Sequence, residues 1–121
     1  MPIDYEVDEA NNVVYASGRG AVGDDDFLDY VRRFLADARI RPGYRELVDL
    51  TAASKGQISP RLFDLIAELD RQQPERQPGS CTAIVVPDSE SFQLASAYGL
   101  KAQAPVIVFS NISVARTWLG I

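Results

Sequence analysis

Cys81-Thr82-Ala83-Ile84-Val85-Val86 is a short, apolar, β-branched run of the kind a buried strand requires. A helical stretch follows it, with Phe92, Ala95, Ser96 and Gly99 on one stripe and Leu94 and Tyr98 on an adjoining flank. A second such run, Pro105-Val106-Ile107-Val108-Phe109, comes next. Strand, helix, strand in that order demands a crossover, so the two strands run parallel. Neither Ile84 to Val86 nor Val106 to Phe109 alternates apolar with polar residues, which predicts that both faces of each strand are dry. Helices on both faces would achieve that, and so would a second copy laid on a bare face. The second possibility is the ground for expecting a homodimer.

Further strands and helices precede these toward the amino terminus, with no internal repeat of sequence. Glu46-Leu47-Val48-Asp49-Leu50 reads as a strand. Ser59-Pro60 has the look of an N-cap followed by proline at the first helical position, ahead of a stripe of Leu62, Leu65, Ile66 and Leu69. Residues 72–80, with Pro74, Pro78 and Gly79, form an exposed connection. Asp24 to Arg39 has a helical period, with Phe27, Val31, Phe34, Leu35 and Ala38 on its apolar stripe, and Pro42-Gly43 ends it. Its opening carboxylates Asp24, Asp25 and Asp26 suit the helix dipole. At the start of the chain Ile3, Tyr5 and Val7 alternate with Asp4, Glu6 and Asp8, as in a strand near an edge. A turn at Asn11-Asn12 leads to a second strand, Val13 to Ser17, antiparallel to the first, and Gly18 to Gly23 reads as a glycine-rich link. The predicted order is β-β-α-β-α-β-α-β-α, with the last helix from Ser113 to Leu119. The fold class is α/β: a mixed sheet, first strand antiparallel and the rest parallel, in one domain over residues 1–121.

Composition narrows the function. The chain has 121 residues, 46% hydrophobic and 24% charged, which fits one soluble globular domain. With no histidine there is no imidazole base and no His-ligated metal, and one cysteine makes neither an internal disulfide nor a Cys-rich zinc site. A net charge of −5 argues against a grip on nucleic acid or an anionic membrane. Residues 1–6 lack a basic, hydrophobic leader and no run approaches a membrane span, so a cytoplasmic protein is expected.

Several groups could carry chemistry. Gly18-Arg19-Gly20-Ala21-Val22-Gly23 is a literal GxGxxG, yet Asp24, Asp25 and Asp26 would repel a pyrophosphate and Phe27 is too bulky for the close helix–sheet contact, so no dinucleotide is expected. The three aspartates point in different directions and read as helix-start residues, and no metal is assigned. Asp49, Thr51, Ser54, Ser59, Asp88 and Ser89, with Ser110 and Asn111, fall at or beyond the carboxyl ends of the parallel strands, the rim where open α/β sheets bind ligands. Helix capping explains several of them as well. Cys81 reads as a small buried apolar residue, Trp118 as core, and Arg32-Arg33 as a solvated helix face.

The opening hairpin, the Ser17-Gly18 strand end before an acidic helix, Leu47-Val48-Asp49-Leu50 and the closing Val114-Ala115-Arg116-Thr117-Trp118-Leu119 together resemble the SpoIIAA-like, STAS-related bacterial proteins. The resemblance covers nearly the whole chain. It implies a mixed sheet wound as a β-α superhelix with helices gathered mainly on one face. In the anti-sigma-factor antagonists of that group, a strand resembling Val48-Asp49-Leu50 leads to an Asp-Ser-Ser-Gly segment that a kinase phosphorylates. Counting forward places that segment near Gln57-Ile58-Ser59-Pro60, where only Ser59 matches, with Gln57 and Pro60 in place of the Asp and Gly. Ser59 is thus the one residue to which phosphorylation carries over.

The expectation is a non-enzymatic regulatory or protein-interaction domain, without cofactor, whose partner surface is the Thr51-to-Ser59 rim. The alternative is a module holding a small ligand between the Leu62-to-Leu69 and Phe92-to-Tyr98 helices, where Ala95, Ser96, Ala97 and Gly99 could leave room. Close helix–sheet packing is the expected use of those small residues.

Overall fold

The computed structural model of the chain describes residues 2–55, 58–76, 78–102 and 104–121; Met1, and Gln57 of the serine segment, lie outside them. The elements are β1 (Ile3–Asp8), β2 (Val13–Val22), α1 (Asp24–Ala36), β3 (Arg45–Lys55), α2 (Leu62–Arg71), a 3-10 turn (Pro74–Arg76), β4 (Cys81–Val85), α3 (Ser89–Lys101), β5 (Val106–Phe109) and α4 (Ile112–Leu119). The five strands lie side by side in chain order, β1 antiparallel to β2 and the rest parallel. Each crossover therefore steps in one direction, and a right-handed connection then puts every intervening helix on the same face. Helices α1, α2 and α3 share that face, while α4, with no later strand to reach, packs on the other side against β3, β4 and β5.

The larger core lies under α1. Ile3, Val14, Ala16, Val48 and Ile84 of the sheet meet Tyr30, Phe34 and Leu35 of the helix, with Tyr44 beside them. Tyr5, Tyr30, Phe34 and Tyr44 form a chain of edge-on ring contacts at 5.6, 6.0 and 4.9 Å. Each such pair adds about 0.5–1.5 kcal/mol beyond the burial of its area. Arg33 ties helix to sheet edge: its guanidinium donates to the Ile3 carbonyl at 2.6 Å and to Asp29 at 2.9 Å, and it lies over the Tyr5 ring. It is therefore a docking residue as well as part of a wet helix face.

Four expectations need correction. The Gly18-to-Gly23 link is mostly strand: β2 continues to Val22 because β3 runs on to Lys55 and supplies a ladder for residues 19–22, which outweighs the poor strand propensity of glycine. Gly18 itself is packed, since a Cβ there would come within 2.8 Å of Leu50. Helix α1 stops at Ala36 rather than Arg39, because the Asp37 carboxylate takes the Arg39 amide and guanidinium and so competes with the next helical turn. Ala38 is consequently outside the stripe, and Leu28 and Tyr30 are inside it. Helix α2 begins at Leu62, with Ser59 and Pro60 in the turn before it, so Ser59 is no N-cap; Leu65 is exposed. Strand β5 is not dry on both faces, for Ile107 is 43% exposed, and Trp118 is 41% exposed where it tilts against Phe109.

Helix α4 reaches the sheet through small residues. Ala83 and Ala115 are fully buried where it crosses, flanked by Leu47, Val85 and Leu119. Replacing Ala115 with Leu overpacks that crossing and is expected to lower stability by about 1–3 kcal/mol. In urea titration the midpoint falls while the slope is unchanged.

Candidate functional site

Between the sheet and the α1–α2–α3 layer lies a cavity of about 140 Å³. It forms where the sheet steps. Pairing of β3 with β4 stops at Asp49 and Val85, whereas β3 continues beside β2 to Lys55, past one extra residue near Leu50 that shifts the register. The helices must span that step. Val48, Leu50 and Ile84 line the sheet side, Leu62 and Ile66 come from α2, and Leu94 and Ala95 come from α3. Ser54 and Pro87, both exposed, mark the side open to solvent.

Small residues do permit close packing at one end of α3, where a Cβ on Gly99 would sit 3.3 Å from the Val106 carbonyl. At the Ala95 end the expected close packing fails and the cavity remains. The stripe of α3 that faces inward is Ser91, Leu94, Ala95 and Tyr98, and Phe92 is 42% exposed.

A carboxyl lies at the inner end. Glu46 of β3 shares a sheet face with Val48 and Leu50 and lines the cavity. The Tyr30 hydroxyl donates to Oε2, and Thr82 Oγ1 donates to Oε1 at 2.7 Å. Burial pushes the Glu46 carboxyl above its ordinary range, although these two donors pull it back. A second chamber of about 40 Å³ adjoins, sharing Tyr30, Val31, Glu46 and Tyr98 with the first and adding Asp70, Tyr44 and Thr82. Burial, and then repulsion from Glu46, raises the Asp70 carboxyl to about 6. Tyr30 and Tyr98 are held well above the ordinary phenol range, chiefly by burial and also by the nearby carboxyls.

The rim residues divide. Asp49 lies on the Leu47 side of the sheet and accepts from the Thr51 amide at 3.0 Å and hydroxyl at 2.7 Å. Ser54 is on the cavity side. The Ser59 amide donates to Asp24 at 2.9 Å, joining the α2 approach to the start of α1. Asp88 caps α3 through the Ser91 amide at 2.8 Å, so Ser89 is its first helical residue rather than its cap. Asn111 caps α4, and Ser110 is exposed just before it. Asp24 and Asp26 have structural partners too, since Asp26 accepts from the Gly23 amide. Cys81 is half-buried, and burial pushes its thiol up, away from the reactive thiolate.

Sequence reading passed over Tyr30, Glu46, Asp70 and Thr82. Alternation held one signal: Tyr44, Glu46, Val48 and Leu50 share parity, so a face buried by Val48 and Leu50 necessarily turns Glu46 inward as well.

No family model and no curated protein matches the chain. Among solved structures, the chain is similar to the crystal structure of an uncharacterized protein of the DUF3478 family with a SpoIIAA-like fold, from Shewanella loihica PV-4, at 12% identity and TM-score 0.64, covering 97% of this chain and 93% of that one. The fold is thus SpoIIAA-like, an α/β mixed sheet with β1 and β2 antiparallel and the rest parallel. Among the described residues no helix is long and apolar enough to cross a membrane.

The raised Asp70 carboxyl has a thermodynamic sign. Between the ordinary aspartate value near 4 and about 6 the folded chain holds a proton that the unfolded chain releases, so this group costs stability progressively as pH rises through that window. Asp70→Asn is expected to remove about 1–2 kcal/mol of that fall, allowing for partial solvent access. Urea midpoints of both proteins at pH 4.5 and 7.5 measure it, the variant gaining on the parent at the higher pH.

Proposed function

We propose that this chain is a non-enzymatic binding module for a small apolar molecule held between the sheet and the α2–α3 pair. The observation that carries the reading is the 140 Å³ cavity with its apolar lining. Protein interiors are packed about as densely as organic crystals, so such a space has to be explained. The space is open on its Ser54–Pro87 side, and water makes few hydrogen bonds against so apolar a wall, so an apolar occupant that displaces it is favoured. An apolar cavity of about 150 Å³ is known to stay dry and to take benzene, which sets the size of the occupant. The rim has less to support a partner surface, because Asp49 and Asp88 are engaged locally and the rim divides between two sides of the sheet.

Toluene is the direct probe. In amide-resolved NMR it is expected to shift signals from α2, α3 and the end of β3 in the native chain. Ala95→Phe, which fills the space from α3, abolishes those shifts while far-ultraviolet circular dichroism stays native. A native chain whose spectrum does not change at saturating toluene sinks the reading.

Self-association is a second reading, favoured by one surface. Val114 and Trp118 lie one turn apart on α4, Trp118 rests on Phe109, and Ile107 lies on that same face of β5, so an exposed apolar strip borders the unpaired edge of the sheet. Two copies can join such edges across a two-fold axis. Light scattering at high micromolar concentration is expected to give twice the chain mass, and Trp118→Glu to give the single mass.

A further inference from the structure

We propose that the occupant is an amine: its apolar body fills the larger chamber, and its ammonium group lies in the smaller one between Glu46 and Asp70, ringed by Tyr30, Tyr44 and Tyr98. The proposal rests on the cavity reading above and adds the chemistry of the head group. The small chamber, at about 40 Å³, exceeds the roughly 10–15 Å³ that one water needs and so has room for a small head group. It shares Tyr30, Val31, Glu46 and Tyr98 with the apolar chamber, so the two are neighbours and a molecule seated in the first can direct its head group toward the second.

The charged groups facing this chamber are both anionic, and they lie among aromatic rings and the aliphatic side chains of Val31, Ala102, Ala104 and Val106. Helix α1 contributes Tyr30 and Phe34; the β3 side contributes Tyr44 and Glu46; α2 contributes Asp70, β4 Thr82 and α3 Tyr98. No Lys or Arg lines it among the described residues. Two cations on neighbouring segments have partners outside the chamber: Arg76, whose charge still acts on Tyr44, donates to the carbonyls of Phe34 and Asp37, and Lys101 pairs with Asp64. Each Glu46 oxygen accepts one hydrogen bond and keeps a second lone pair free, and the Asp70 carboxylate and Tyr98 hydroxyl have no hydrogen-bond partner among the described residues. A buried carboxyl beside a partly buried one, with no cation lining the space, is unfavourable, and a cation with several donors corrects that. Tyrosine rings around the same space attract an ammonium through their faces. An anionic head would meet two like charges, and an alcohol could donate only one proton.

Calorimetric titration tests this with three phenyl probes of similar size that differ in head group, 2-phenylethylamine, 2-phenylethanol and phenylacetate, and with toluene as the probe that has no head group. At pH 7.5 the amine is expected to bind at least about tenfold more tightly than the alcohol, with phenylacetate weakest. Lowering the pH to 5 protonates Asp70 and should weaken the amine about tenfold while leaving toluene unchanged. Asp70→Asn should bring the amine toward the alcohol and preserve toluene binding, which also shows that the variant is folded. Toluene or the alcohol binding as well as the amine, or an amine affinity indifferent to pH, overturns the ammonium site and leaves the apolar cavity standing. If none of the four binds the native chain, the cavity reading falls with it.

Discussion

The hand of the strand–helix–strand crossover is the constraint on which the rest of this molecule depends. Strands two to five follow one another across the sheet in chain order, so three successive right-handed connections must deliver three helices to one face. That face becomes crowded, and a chamber open on its Ser54–Pro87 side is left within it. The opposite face has only α4, so it is thinly covered near β5 and carries wet side chains such as Asp4 and Glu6 near β1. Where the cavity lies and which strand residues look into it are both consequences of this asymmetry.

Much of this was legible. Nonalternating runs at Cys81–Val86 and Val106–Phe109, separated by a helical stripe, sufficed for the parallel sheet, and Asn12, at φ 53°, fulfils the turn read from its residue type. Element ends were less legible, because pairing between distant segments decides them: nothing near Gly18 announces that β3 will run on to Lys55 and draw residues 19–22 into the ladder. The candidate site was half visible. Spacing placed Leu62, Ala95 and Tyr98 opposite one another, but whether small residues bring two layers together or leave space between them is a matter of helix tilt, and α3 does both, at Gly99 and at Ala95. Glu46 was missed because Leu47, Val48, Asp49 and Leu50 put an apolar residue on each face and a carboxylate after them, so the strand itself did not say which face was the inner one.

The inner carboxyls concern stability as well as recognition. Tyr30 and Thr82 each hold one oxygen of Glu46, and these bonds fix the side chain's direction while only partly offsetting its enclosure. Asp70 has less to hold it. A fold that tolerates two such groups side by side is less stable at neutral pH than one with apolar residues there, which is a common cost of a site kept ready for an occupant.

The overhang of β3 has a dynamic counterpart. From Ala52 to Lys55 this strand is laddered to β2 alone, whereas from Arg45 to Asp49 it is clamped between two neighbours. Segments held on one side open at lower free energy than segments held on both, and they do so without disturbing the rest of the domain. Deuterium would therefore reach the amides of the overhang well before those of the clamped half. Ala53 and Ser54 border the chamber, so its wall includes the part of the sheet that breathes most readily.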